Sequence, residues 1–174
     1  MQTSKITLGG GCFWCLEAIF ERLNGVTSVV SGYAGGQKEN PTYQEVCGGD
    51  TGHAEVIQIH FESGSIALED ILDVFWQAHD PTSLNRQGND IGTQYRSIIM
   101  PHDEAQKEIA LKSMEKWEGK FESPIVTKIE PINVFYEAER CHQDYFRLNP
   151  QAPYCAFSIE PKIKKLKDNN VLPK

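Results

Sequence analysis

Apolar and polar positions change period several times along the chain, and each change marks an element. Lys5 to Leu8 reads as a short strand that runs into Gly9-Gly10-Gly11. Phe13, Leu16, Ile19, Phe20 and Leu23 then fall on one face of a helix closed by Gly25. The β-branched stretch from Val26 to Tyr33 predicts a second strand, and residues 34–52, rich in Gly, Asn, Pro and Thr, a long loop. From Ala54 to Phe61 the period is two, with Ile57, Ile59 and Phe61 on one side and Gln58 and His60 on the other. Ala67 to Ala78 has helical spacing, Glu69 and Asp70 suit the positive end of its dipole, and Asp80-Pro81 stops it. Residues 82–93 form a second loop. Gln94 to Met100 is a predicted strand ended by Pro101. Asp103 to Trp117 is a charged amphipathic helix with Glu108 and Lys112 one turn apart, closed by Gly119. Ile125 to Ile129 and Ile132 to Tyr136 are predicted as strands paired with each other across Pro131. A short helix near 139–147 and a Lys-rich tail complete the chain.

Strands alternating with helices predict an α+β fold, a two-layer α/β sandwich with helices against one sheet. The length of 174 residues suits a single domain spanning 1–174, with an irregular, mobile tail from about residue 149. The two long loops are the expected place for function.

Composition narrows the classes. Hydrophobic residues make up 40% of the chain, enough for a packed core. Lys and Arg number 17 against 24 Asp and Glu, a net charge of −7, which leaves no surplus of positive charge for nucleic acid or an anionic membrane. The longest apolar run is the five residues Cys12 to Leu16, far short of the roughly 20 a bilayer span needs. The first ten residues show no apolar core of a secretory signal. Five cysteines (Cys12, Cys15, Cys47, Cys141 and Cys155) are an odd count that does not suit a secreted disulfide framework, so free thiols in a reducing cytoplasm are expected.

Gly9-Gly10-Gly11-Cys12-Phe13-Trp14-Cys15 is the most informative segment. It places Cys12 at a helix N-terminus, where unpaired amides favour thiolate and should lower the thiol pKa, with Phe13 and Trp14 as an apolar wall. The alternative is a buried small hydrophobe, the usual fate of a free cysteine. Cys12 and Cys15 also fit a thioredoxin-type disulfide oxidoreductase. They fit zinc poorly, because Cys141, His142 and Cys155 give no usual ligand spacing. In Thr51-Gly52-His53-Ala54-Glu55, strand alternation puts Glu55 at the end of the buried face, where desolvation would keep it protonated, or else leaning out to water. Tyr43 on the first loop and Asp90 and Tyr95 on the second could hydrogen-bond a polar ligand atom or serve as caps and aromatic cover. The five histidines show no ligand spacing and receive no catalytic role.

Read together, Gly11 to Cys15, Ser31 to Gly36, Asn40 to Cys47, Thr51 to Glu55 and Gly88 to Ser97 stand in the order found in the A-type peptide methionine sulfoxide reductases, and the likeness runs from Lys5 to Lys165. This resemblance implies a ferredoxin-like α/β sandwich and no metal or organic cofactor. It implies that Cys12 is the nucleophile, that Phe13 and Trp14 hold the substrate's S-methyl group, and that Glu55 protonates the sulfoxide oxygen. Tyr43, Asp90 and Tyr95 would orient that oxygen. The substrates would be methionine S-sulfoxide, free or in proteins, and the reductant thioredoxin, acting on a monomer. A thiolate attacking the electrophilic sulfur needs a proton delivered to the poorly leaving oxygen, and it leaves Cys12 as a sulfenic acid that a second thiol condenses with. Many relatives carry Gly where Cys15 stands and resolve the sulfenic acid with a C-terminal thiol. Asn149 to Cys155 resembles that segment, so Cys155, on a tail expected to be mobile, is the favoured resolving thiol and Cys15 the alternative. Cys47 is expected to be structural, and Cys141 has no evident role.

Overall fold

The strands pair as a twisted sheet whose order departs from chain order, which is what places the two long loops side by side. The computed structural model describes residues 2–174. Strand β1 (Thr3–Gly9) leads to α1 (Phe13–Phe20), β2 (Val26–Ala34), the short α2 (Tyr43–Cys47), β3 (Ala54–Glu62) and α3 (Leu68–Ala78). A two-stranded ribbon, β4 (Arg86–Gln87) and β5 (Asp90–Ile91), precedes β6 (Ile98–Met100) and α4 (Glu104–Trp117). Strands β7 (Lys128–Ile129) and β8 (Phe135–Glu137), helix α5 (Tyr145–Leu148) and helix α6 (Glu160–Asp168) follow. The main sheet runs β7-β6-β1-β3-β2-β8. Its inner four strands with α1 and α3 make the β-α-β-β-α-β ferredoxin-like unit, all antiparallel.

The alternation read from β3 is real. Ile57, Ile59 and Phe61 join Ile6 and Leu8 of β1 under α1 and α3, where Phe13, Leu16, Ile19, Ile71, Leu72 and Phe75 complete the main core. The opposite face is also covered over part of its length. Ala34, Ala54, Val56, Ile98 and Met100 form a second cluster beneath Ile132 and Phe135. Helix α4 packs beside α3, and the indole of Trp76 donates to Ser113 Oγ at 2.8 Å.

Four expectations are corrected. Residues 125–129 and 132–136 do not pair with each other: β7 runs parallel to β6 at one edge, whereas β8 runs antiparallel to β2 at the other. The Ile132 amide donates to the Pro101 carbonyl at 3.1 Å, and the connecting segment runs across the second core, against which Ile132 and Phe135 pack. The first long loop contains α2, whose start is a capping box in which Thr42 Oγ1 accepts from the Glu45 amide and Glu45 Oε1 accepts from the Thr42 amide. The strand expected at 94–100 shortens to β6, because residues 93–95 turn as a 3₁₀ helix. Finally, the C-terminal segment is not an irregular tail. A wide helical turn over Cys155–Ile159 continues into α6, and Cys155, Ile159, Ile163 and Leu166 are buried in the main core. Apolar side chains at that spacing supply the burial that fixes the segment. No helix among the described residues is long and apolar enough to cross a membrane.

Candidate active site

The glycine run ends β1 and turns the chain into α1. Gly11 has φ +90°, and its amide donates to the carbonyl of Tyr95 at 3.1 Å, tying the turn to the second long loop. Gly10 is required for space, since a Cβ there would lie 2.7 Å from the ring of His79. His79 is itself fixed. Its Nδ1 donates to the Phe75 carbonyl at 2.6 Å, so the neutral ring's Nε2 accepts from Ser97 Oγ at 2.7 Å. Burial holds that ring neutral by pushing its pKa down to about 4.

Cys12 occupies the N-cap of α1 and Cys15 lies one turn on, its amide donating to the Cys12 carbonyl at 3.1 Å. Both thiols are buried, yet both line a cavity of about 260 Å³ together with Asp90 and Tyr154. The helix terminus does not dominate Cys12. Burial pushes its thiol well above the ordinary range and the neighbouring Glu55 carboxylate adds to this, while the Trp14 amide and Tyr154 oppose it. The expected lowering is therefore corrected: desolvation outweighs the helix amides, and Cys12 rests as a thiol.

Glu55 meets it from β3. The side chain is fully buried, Oε1 accepts from the Phe13 amide at 3.1 Å, and Oε2 has no hydrogen-bond partner among the described residues. Burial raises this carboxyl to about 8, against the Phe13 amide and with some help from the charge on Asp90. A buried carboxyl oxygen without a partner is the place for a proton. Glu55 is a neutral acid at pH 7.

Around this pair stands an aromatic wall. Phe13 is fully buried, 5.7 Å from Tyr33 and 6.2 Å from Tyr43 between ring centres. Trp14 lies face to face with Tyr145, 3.8 Å apart and 8° from parallel, and its indole N–H donates to His142 Nδ1 at 3.1 Å. Tyr43 packs 4.2 Å from the His142 ring, and Glu139 accepts from both the Tyr33 hydroxyl and the Tyr43 amide at 2.9 Å. Burial raises Tyr43 and Tyr95 above the usual phenol range, and the charge of Glu55 adds to each, so both hydroxyls remain donors. Asp90 on β5 accepts from the Tyr154 hydroxyl at 2.9 Å. The fold thus gathers Cys12, Glu55, Tyr43, Asp90, Tyr95, Phe13 and Trp14 around one place.

Reading from sequence missed His142, Glu139, Tyr145 and Tyr154. Only Tyr154 carried a signal, its place beside Cys155 in a motif already singled out. Cys47 and Cys141 are exposed, and Cys155 is buried, where the thiol close enough to act on its charge is Cys15. Among the described residues no group of three or more His, Cys, Asp or Glu is placed to hold a metal ion.

Comparison with known proteins identifies the family. The sequence profile of the family described as peptide methionine sulfoxide reductase matches residues 4–174. The chain belongs to the peptide methionine sulfoxide reductases. It is 54% identical over 169 residues to the reductase MsrA of Natronomonas pharaonis, covering 96% of this chain and 95% of that one. Mxr1 of Saccharomyces cerevisiae in its reduced form superposes with a TM-score of 0.85 at 40% identity, covering 88% of this chain and 90% of Mxr1. Mxr1 in complex with Trx2 matches with a TM-score of 0.61 at 29% identity over 83% of this chain and 85% of that one. As a member of this reductase family the protein is an oxidoreductase, and the fold it shares with these structures is the mixed α/β sandwich described above.

Proposed function

We propose that Cys12 and Glu55 carry out the reduction of methionine S-sulfoxide after which the family is named. The observation that carries this reading is the neutral, half-satisfied carboxyl of Glu55 hydrogen-bonded to the amide next to Cys12. As Cys12 Sγ attacks the sulfoxide sulfur, Glu55 delivers its proton to the oxygen, and the thiol's own proton restores the acid. The sulfoxide is reduced to methionine and Cys12 is oxidised to the sulfenic acid, so atoms and protons balance without a further reactant. The Phe13 and Trp14 rings receive the S-methyl group, an apolar contact that leaves the polar oxygen facing Glu55. Tyr43 and Tyr95 donate to that oxygen while Asp90, held by Tyr154, shapes the cavity beside it.

Cys15 is the resolving thiol in this reading, in preference to Cys155. Cys15 lines the cavity with Cys12, whereas Cys155 is enclosed in the core and faces Cys15. Reduction of the resulting disulfide is assigned to a thioredoxin, by analogy with the complex of Mxr1 and Trx2. The test is peptide mapping after one equivalent of methionine sulfoxide without reductant. A Cys12–Cys15 link with one methionine formed supports the proposal. No methionine from wild type, or undiminished methionine from Glu55→Gln, overturns the catalytic pair, and a Cys12–Cys155 link overturns the resolving assignment.

A further inference from the structure

The cavity beside Cys12 has a wall that the reaction has not yet used. Tyr154, Ser158 and Lys162 recur at four-residue intervals through the wide turn and into α6, and all three line it. Lys162 is half-buried there and makes no ion pair with a carboxylate among the described residues. Lys162 instead shares the cavity lining with Cys15, close enough for its charge to act on that thiol. A wide turn just ahead of α6 is a feature that clusters at functional sites.

We propose that Lys162 is a positioning residue for the second half of the reaction, its ammonium set beside Cys15 to offset the cost of ionising that thiol as it attacks the Cys12 sulfenic acid. This rests on Cys15 being the resolving thiol. The groups facing Cys15 are Lys162 from α6, Asp90 from β5, Cys12 from the start of α1, Tyr154 just ahead of the wide turn and Cys155 within it. Burial and the charge on Asp90 push the Cys15 thiol up, and the Lys162 ammonium pulls it down. Without that cation the thiolate would form against both its burial and the Asp90 charge with no opposite charge beside it. In the step, Cys15 Sγ bonds to Cys12 Sγ and the S–O bond of the sulfenic acid breaks. Hydroxide departs and takes up a proton equivalent to the one Cys15 released, leaving as water. The sulfenic sulfur is reduced and Cys15 oxidised, while Lys162 keeps its charge throughout.

The experiment follows the Cys12 sulfenic acid by timed dimedone trapping and mass spectrometry after one equivalent of methionine sulfoxide without reductant, and reads its decay once methionine formation is complete, which separates it from the first step. Lys162→Met keeps the apolar stem and removes the charge; Lys162→Arg keeps a cation. For each unit by which the Cys15 thiol rises, the sulfenic acid of Lys162→Met should persist about threefold longer at pH 7, the tenfold loss of thiolate being partly offset by its greater nucleophilicity, with the pH at which its decay accelerates moved up by the full unit. Lys162→Arg should restore most of both. A Lys162→Met protein with wild-type decay and pH profile overturns the role. So does a Lys162→Arg protein that is equally slow with an unmoved profile, since that marks a packing defect. Mapping the disulfide in the same samples separates the two ideas: a Cys12–Cys15 link with unchanged Lys162→Met decay overturns Lys162 alone, and a Cys12–Cys155 link in wild type overturns the choice of Cys15.

Discussion

Glu55 Oε1 accepts a 3.1 Å hydrogen bond from the amide of Phe13, so the acid is tied to the first residue of the helix that Cys12 caps. One hydrogen bond thus links the proposed proton donor on β3 to the helix that carries the proposed nucleophile. Glu55→Gln retains an oxygen for that amide and removes the acidic proton. Methionine formation in a single turnover at pH 7 should then fall by about 10²–10⁴-fold, the usual worth of general acid catalysis. In wild type the protonated form is present below about 8, so the rate should fall as pH rises through that value. A Glu55→Gln protein that kept the alkaline fall would show that another group is titrating.

The same carboxyl makes a prediction about stability. In an unfolded chain glutamate ionises near 4.3, whereas burial holds Glu55 at about 8 in the fold. The folded state therefore binds the proton more tightly. The stability that this proton contributes is full below about 4.3 and is lost as pH rises to about 8, at about 1.4 kcal/mol per pH unit. Gln does not titrate. Denaturant unfolding should show Glu55→Gln gaining on wild type by about 3 kcal/mol between pH 5 and pH 8. Parallel stability curves would mean that the carboxyl is hydrated and ionised in the native protein. A loss of activity joined to a gain of stability is what a site strained for chemistry produces.

Cys12 should resist simple alkylation. Its thiol is raised by burial and by the Glu55 charge, so iodoacetamide at pH 7 should label it more slowly than an unstructured peptide thiol. Glu55→Gln removes the nearby negative charge and should speed labelling at pH 9, where wild-type Glu55 is ionised. Equal rates in the two proteins at pH 9 would separate the two side chains electrostatically. Slow labelling of the resting enzyme is thus compatible with catalysis, because the proton leaves Cys12 only as the sulfoxide oxygen gains one.

Local period and motif order made the four inner strands, α1, α3 and α4 legible, because each has its own apolar face. Glu55 was legible for the same reason: alternation with Ile57 and Ile59 places it on the buried side of β3. What escaped was decided by partners distant in sequence. The Thr42-to-Glu45 capping box of α2 was visible in the residues but hidden inside a stretch read as loop. His142 carries no local mark of function, since its role comes from the Trp14 indole 128 residues away. The strand partners of β7 and β8 lie at opposite edges of the sheet, which their own residues do not encode. The lowered thiol pKa expected at Cys12 followed from the helix end alone. Burial among Phe13, Trp14 and the C-terminal segment reversed its direction.

That C-terminal segment provides the last test. Lysines at positions 162, 164, 165 and 167 dominate its composition, and they masked Ile159, Ile163 and Leu166, which recur at helical spacing and are buried. Ile163, 5% exposed, should behave as a core residue. Ile163→Ala should cost about 2–4 kcal/mol in urea unfolding, the range for truncating a buried aliphatic side chain. A mobile tail would give less than about 0.5 kcal/mol at the same position. Cys155 is fully buried in the same core cluster, so the substitution should shorten the time needed to alkylate that thiol in the native protein, read by mass spectrometry after limited labelling. If Ile163→Ala left both stability and Cys155 labelling at wild-type values, α6 would not be docked as described, and the wall that brings Lys162 to Cys15 would lose its support.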